Sequence, residues 1–197
     1  MALFPFFINI EGKEGLIIGT GKHAQEKIKR LKPYGPKLRV IAEGEFSEKD
    51  LELYPAFAVV AGENVEENHK IANMCKEKRI PVNVVDDLEY CDFVFPSLIS
   101  HGNLSVGICT GGASPATGVL LKRKMEDLIP DNMEEILDFL QSVRPIIAET
   151  LTDKKQRYTF YYRLSEMCMT ENRALTEEEF RRQLLWHVQS VKKNLQE

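Results

Sequence analysis

The chain has 197 residues, 43% of them hydrophobic, enough to bury a sizeable core in one domain with an appendage or in two small domains. Its 26 Lys and Arg against 30 Asp and Glu leave a formal charge of −4, with an isoelectric point near 5.7. No global positive field exists to recruit nucleic acid or an anionic membrane, so an anionic ligand needs a local site.

The opening Met1-Ala2-Leu3-Phe4-Pro5-Phe6-Phe7 is apolar, but it has no basic leader, and Glu11, Lys13 and Glu14 interrupt it long before it could span a bilayer. Neither export nor a membrane anchor is expected. Leu16-Ile17-Ile18 reads as a buried strand ending in Gly19-Thr20-Gly21, followed by a helix from about Lys22 to Lys32. Leu38 to Ala42, Phe57 to Ala61 and Val82 to Val85 read as three further strands. Residues 65–78 form a helix between the last two, with Ile71, Met74 and Cys75 on one side. Buried apolar runs alternating with helices predict an α/β domain, a Rossmann-type parallel sheet covered on both faces.

Phe93-Val94-Phe95 and Leu104 to Ile108 flank Pro96 and the turn-like His101-Gly102-Asn103, which predicts a strand pair closing the sheet. From Ser114, an N-cap before Pro115, the pattern is helical. Ile136, Leu137, Leu140, Val143 and Ile147 make one apolar stripe. Phe180, Leu184, Val188, Val191 and Leu195 make another behind a Thr176-x-x-Glu179 capping box. These faces need a partner: each other, the Rossmann domain or a second copy of the chain. The aromatic and basic run from Lys154 to Arg163 is read as helix packing in preference to a nucleic-acid or tetrapyrrole platform.

Gly19-Thr20-Gly21-Lys22-His23-Ala24 is a G-x-G-x-x-A turn between strand and helix. Its glycines permit the tight turn and the approach of a pyrophosphate, and Ala24 permits close helix–strand packing. The helix start supplies amide donors and the positive end of the dipole. Glu43, just past the second strand, stands where an acidic residue binds the adenosine ribose hydroxyls, which favours NAD over NADP.

Asp86 and Asp87 follow the fourth strand, at the edge where open sheets bind ligands. Strand alternation lets only one of them face a crevice. A carboxylate there serves as a general base or as a turn former. Thr110-Gly111-Gly112-Ala113-Ser114-Pro115 is a second glycine turn into a helix and offers backbone donors to an anion, with Lys122, Arg123 and Lys124 on the helix that follows.

Leu3-Phe4-Pro5-Phe6-Phe7, Gly19 to Ala24, Asn83-Val84-Val85-Asp86, Phe93-Val94-Phe95-Pro96-Ser97 and Thr110 to Pro115, in this order over roughly residues 1–150, resemble the precorrin-2 dehydrogenase/sirohydrochlorin ferrochelatase family, found alone or as the N-terminal part of siroheme synthase. The resemblance implies NAD-dependent oxidation of precorrin-2 to sirohydrochlorin, in many members followed by ferrous iron insertion to give siroheme. It also implies a cytoplasmic homodimer joined through its middle helices. The catalytic aspartate falls on Asp86, and cofactor contacts fall on Lys22, His23, Glu43 and Gly44, with Ala61 and Gly62 at the end of the third strand. Asn83, Thr110, Gly111, Gly112 and Ser114 fall on the substrate side.

The implied division is an NAD-binding Rossmann domain over 1–113, a helical dimerisation region over 114–150 and a C-terminal helical region over 151–197. The chain departs from the family in a shortened 44–56 segment and in Ala61-Gly62-Glu63, where members commonly carry Ala-Thr-Asp; both bear on cofactor affinity.

His23, His69, His101 and His187 are scattered, and Cys75, Cys91, Cys109 and Cys168 include no Cys-x-x-Cys pair. No resident metal or disulfide framework is expected, the cysteines read as reduced cytosolic thiols, and iron would be a substrate. Two other readings stay open. An NAD-sensing regulatory module needs the first glycine turn but neither Asp86 nor Thr110-Gly111-Gly112. A chelatase without dehydrogenase activity keeps only a relic of the nucleotide site.

Overall fold

The computed structural model describes residues 3–194, with side chains as far as Val191; Met1, Ala2 and Leu195 lie outside the described residues. Two compact units partition the chain without a single cut: Met1–Phe95 with Gly111–Ala113, and Pro96–Thr110 with Ser114–Glu197.

The first unit is a parallel sheet of β1 (Glu14–Ile18), β2 (Lys37–Ile41), β3 (Phe57–Val60) and β4 (Val82–Val84) in the order β2-β1-β3-β4. The central strands read as unbroken apolar runs because each buries both faces. Leu16, Ile18, Ala58, Val60, Val82 and Val84 pack with Ile71, Ala72 and Cys75 of α2 (Val65–Glu77). Ile17 and Val59 pack with Ala24 and Leu31 of α1 (Lys22–Leu31). Ile17 sits level with Val40 on one side and Val59 on the other, so alternate residues feed alternate cores. Gly15 is required by this packing: a Cβ there would lie 2.3 Å from Cζ of Phe57.

The expected strand at 93–95 is not formed, and the strand pair does not close the sheet. The pair is β5 (Ser97–His101) with β6 (Leu104–Ile108), antiparallel and forming a sheet of its own, with Ile99 opposite Val106. The outer edge of β4 is already occupied. Val82 N–H donates to the Asp92 carboxylate (3.1 Å), Asp92 N–H donates to Val82 O (2.8 Å), and Val84 N–H donates to Cys91 Sγ (3.2 Å). Phe93 and Phe95 spend their side chains on the α1-side core. An edge covered in this way offers no template for another strand.

In the second unit, Ser114 caps α3 (Pro115–Glu126) by accepting from Thr117 N–H. The helices α4 (Met133–Ser142), α5 (Arg144–Thr150), α6 (Lys154–Glu171) and α7 (Glu177–Asn194) follow. The two apolar stripes meet in one core through α6: Ile136, Val143 and Ile147 pack with Phe160, Leu164 and Cys168 and with Phe180. The first stripe is divided between α4 and α5 at Val143, with Pro145 in the first turn of α5, where a missing N–H costs nothing. On α6, Phe160 is buried while Tyr158 and Tyr162 are exposed, a helix with one core face.

The start of α7 is fixed by a capping box. Glu179 N–H donates to Thr176 Oγ1 (3.2 Å) and Thr176 N–H donates to Glu179 Oε2 (2.8 Å), while Arg173 grips both carboxylate oxygens at 2.8 and 2.9 Å. The Arg173 hydrogen bond first, and the Thr176 amide next, hold the Glu179 carboxyl at about 2, below its ordinary 4.5. A depressed carboxyl stabilises the fold fully above its unfolded value and ceases to as pH falls through the folded one. Thr176→Ala, which removes the N-cap acceptor of α7, should cost about 1 kcal/mol, read as a lower urea midpoint with unchanged slope. Glu179→Gln should flatten the loss of stability between about pH 4.5 and 2 relative to the parent.

Candidate active site

The strand order reverses between β1 and β3: the chain leaves β1 for β2 on one side and returns to β3 on the other. The crevice beyond the carboxyl ends of two such strands is where open parallel sheets take ligands. At this point Gly19 N–H donates to Ile41 O (2.9 Å) and Ala61 N–H donates to Ile18 O (2.8 Å), so the two strand ends run straight into the glycine turn and into the Ala61-Gly62 loop. Gly19 has φ 113°, and a Cβ on it would stand 2.6 Å from Ala61 O, so only glycine fits.

Gly21 differs. It is the N-cap of α1 at φ −66°, and a Cβ built on it meets nothing within 4 Å. The protein's own packing leaves that space open. The first intrahelical bond runs from Gln25 N–H to Gly21 O (3.1 Å), so the amides of Lys22, His23 and Ala24 have no acceptor inside the helix. The helix has no side-chain cap and no acidic residue in its first turn, while Ala24 is fully buried against the sheet. An anion fits this helix start. Thr20, Lys22 and His23 are exposed around it.

Glu43 lies two residues beyond β2, and its Oε1 accepts from the backbone amides of Glu63 and Asn64. Gly44 follows at φ 80°. A Cβ on Gly62 would approach Glu43 Oε1 to 2.8 Å and Asn68 Oδ1 to 2.7 Å, so a larger residue here would have to displace both side chains. The buried Asn68 side chain donates to Gly62 O (2.8 Å), and Asn64 caps α2 through Glu67 N–H (3.1 Å). Sequence reading missed this pair of asparagines; Asn64, placed just before the periodic run of α2, carried an N-cap signal. The shortened segment after Gly44 is held by a capping box of Ser47 with Asp50, by Arg39 on Asp50 (2.5 Å) and by the buried Leu51.

β4 ends beside β3, where Val85 N–H donates to Val60 O (2.9 Å), so Asp86 reaches the same carboxyl edge of the sheet. Asp86 is exposed at φ 60°, in a turn closed by Asp87 N–H on Val84 O (3.3 Å). Left-handed backbone costs an ordinary residue about 1–2 kcal/mol, and Asp is among the few that tolerate it. The two aspartates separate: Asp87 turns its carboxylate to His69 Nε2 at 2.6 Å, and Asp86 does not share that contact.

Lys27, one turn into α1, lies 4.5 Å above the Phe95 ring, with the Arg30 guanidinium at 5.3 Å. Burial first, and Arg30 next, hold the Lys27 ammonium below its ordinary range, against the opposing pull of the Asp86 carboxylate. A basic neighbour of Asp86 was not legible in sequence, where 59 positions separate the two.

Asn83 is the middle residue of β4. It is 5% exposed, and its Nδ2 donates to Phe93 O (3.0 Å) and Cys91 Sγ (3.3 Å), which ties the 91–93 segment to β4. The second glycine turn is built as expected. Gly111 and Gly112 have φ 62° and 84°, and Thr110 Oγ1 both donates to Ser114 O (3.1 Å) and accepts from Ser114 N–H (3.3 Å) across them. A Cβ on Gly112 would strike Leu88 Cδ2 at 2.8 Å. Lys122 pairs with Glu126 at 3.5 Å, an i,i+4 contact on the solvated face of α3.

Residues 6–97 match the family described as "Putative NAD(P)-binding". The chain is 27% identical over 207 aligned residues to siroheme synthase of Neisseria meningitidis serogroup C (strain 053442), covering 93% of the chain and 43% of the relative. It is 30% identical over 190 residues to siroheme synthase of Buchnera aphidicola subsp. Acyrthosiphon pisum, covering 87% and 40%. The chain thus spans about two fifths of the length of these curated relatives. Among solved structures its fold matches "SirC, precorrin-2 dehydrogenase", with TM-score 0.64 and 19% identity over 97% of this chain and 100% of that one. The chain thus carries an NAD(P)-binding region over residues 6–97, is similar in sequence to siroheme synthases along most of its own length, and shares the fold of a precorrin-2 dehydrogenase.

Proposed function

We propose that this protein oxidises precorrin-2 to sirohydrochlorin with NAD. The names of its relatives supply the substrate, and the placement of Asp86 at the sheet edge that also holds the glycine cradle supplies the chemistry. The cradle suits a dinucleotide: the open space at Gly21 and the amides of residues 22–24 would receive the pyrophosphate. Lys22 and His23 flank it, with Thr20, Gly44, Ala61 and Gly62 on its rim. Glu43, fixed by two backbone amides, would meet the adenosine ribose and disfavour a 2′-phosphate. Bound NAD supplies a hydride acceptor.

The oxidation removes two hydrogens, one as hydride and one as proton. Asp86 is the residue proposed to take the proton, because its carboxylate is exposed, is presented by a fixed turn and is not paired to His69 as Asp87 is. Thr110, Gly111, Gly112 and Ser114 are proposed to form the turn that meets the substrate's carboxylates, its shape fixed by the two bonds between Thr110 and Ser114. Ferrous iron is proposed as a second substrate, with Asp86 again removing ring protons. An NAD sensor would leave Asp86 without a task.

The protein is proposed to act in the cytoplasm as a homodimer, with residues 114–150 at the interface. In support, Val119, Leu120, Leu121 and Met125 on α3 and Leu128 just after it are all exposed, Leu128 to 78%. Among the described residues no helix is long and apolar enough to cross a membrane.

Anaerobic incubation with precorrin-2 and NAD should yield NADH and sirohydrochlorin together; absence of both removes the reading. Asp86→Asn should keep NAD affinity and lower kcat by about 10²–10⁴. Gly21→Ala should lose under about 1 kcal/mol of stability yet weaken NAD binding by about tenfold or more, measured by titration. Gly19→Ala, whose methyl meets a backbone carbonyl, should lower the melting temperature as well.

A further inference from the structure

Asp86 is presented by a turn that is weakly bonded within itself. Its one backbone closure, Asp87 N–H to Val84 O, is long at 3.3 Å, and Asp86 occupies left-handed backbone. The turn is held from outside. On one flank the Cys91 thiol lies 3.2 Å from Val84 O and 3.2 Å from Asp87 O. On the other, His69 Nε2 meets Asp87 Oδ2 at 2.6 Å, and the imidazole lies flat on the Tyr90 ring, centroids 3.7 Å apart and 4° from parallel. Lys76 Nζ lies 5.3 Å from the centroid of the same Tyr90 ring. His69 stands on α2, a helix capped by Asn64 and anchored in the core by Ile71, Ala72 and Cys75, so it is a rigid mount.

We propose that His69 is a positioning residue for the dehydrogenase: by gripping Asp87 while stacked on Tyr90, it locks the 84–87 turn and so holds Asp86 in the conformation that meets the substrate. The claim rests on the reading of Asp86 as proton acceptor. Neither imidazole nitrogen needs to exchange protons with substrate; the ring acts through the Asp87 carboxylate. Because misplacing a reacting group by about 1 Å costs up to about a hundredfold in rate, a loosened turn reports in kcat more than in binding.

The test compares the unaltered protein with His69→Ala, His69→Gln and the His69→Ala/Asp87→Ala double variant. His69 is partly exposed on a helix, where alanine is a favourable residue. In His69→Ala, deuterium exchange across residues 84–90 should quicken about tenfold while β1 and β3 keep their protection. Turnover should fall about tenfold, with KM for precorrin-2 and the Kd for NAD within about twofold. His69→Gln, whose amide can still donate to Asp87, should restore both. The double variant should lose no more than His69→Ala, since the two residues act as one clamp.

Unchanged exchange at 84–90 in His69→Ala overturns the proposal, as does quickened exchange with kcat intact. If the unaltered protein forms no NADH, it is the dehydrogenase reading that falls, and the exchange comparison still supports or overturns the clamp.

Discussion

At the carboxyl ends of β1 and β3 backbone lies against backbone, close enough that a single methyl on Gly19 would intrude to 2.6 Å of Ala61 O. This approach lets the two strands stay paired to their last residues while the chain departs from one into α1 and from the other into α2. Widening it would separate the strand ends, lift Ala24 from the sheet and detach the Gly62 loop from Glu43 and Asn68. The open space at Gly21 is the complement of that crowding. The protein packs tightly where its own strands must meet and leaves open space two residues later, at the start of a helix whose amides need an acceptor.

The other end of the sheet edge is governed by side chains standing in for a missing strand. β4 has only three residues, and its outer edge is satisfied by the Asp92 carboxylate, the Cys91 thiol and the Asp92 backbone amide, which donates to Val82 O. A flanking ladder strand would have extended β4 in straight β geometry. An irregular edge instead lets the chain turn sharply at Val84 and present Asp86 in a left-handed conformation. Asn83 belongs to the same arrangement, since its amide draws the Phe93 carbonyl onto the strand and so brings Phe93 and Phe95 into the core beneath Lys27.

The parallel sheet and its two covering helices were legible in sequence because every central strand buries both faces, and Leu16-Ile17-Ile18 or Phe57 to Val60 can afford no polar residue. The caps at Ser114 and Thr176 were legible for a local reason, the partner lying three residues away. What escaped was settled by contacts between distant residues. Phe93-Val94-Phe95 has the composition of a strand, but its ladder donors face an edge already taken by Asp92 and Cys91. The bond from the Asn83 amide to Phe93 O likewise joins residues ten positions apart. Of the two adjacent aspartates, strand alternation said that one faces away. That Asp87 faces His69, 18 residues earlier on α2, depends on how α2 lies along the sheet.

The helical unit distributes its apolar surface unevenly, and the imbalance carries meaning. The stripes of α4, α5 and α7 find each other across α6, where Phe160 is 1% exposed in one cluster with Ile147 and Phe180. α3 has the opposite character. Its buried position is Gly118, where a Cβ would press on Ser97 Oγ at 3.1 Å, and its larger apolar residues face outward. A helix that seats on a strand pair through a glycine while exposing Val119, Leu120, Leu121 and Met125 is poorly explained by its own unit's core. A second copy would give those residues the burial that their hydrophobicity favours, at about 25 cal/mol for each Å² of apolar surface removed from water. The proposed dimer thus rests on a helix that exposes Val119, Leu120, Leu121 and Met125 together within three turns.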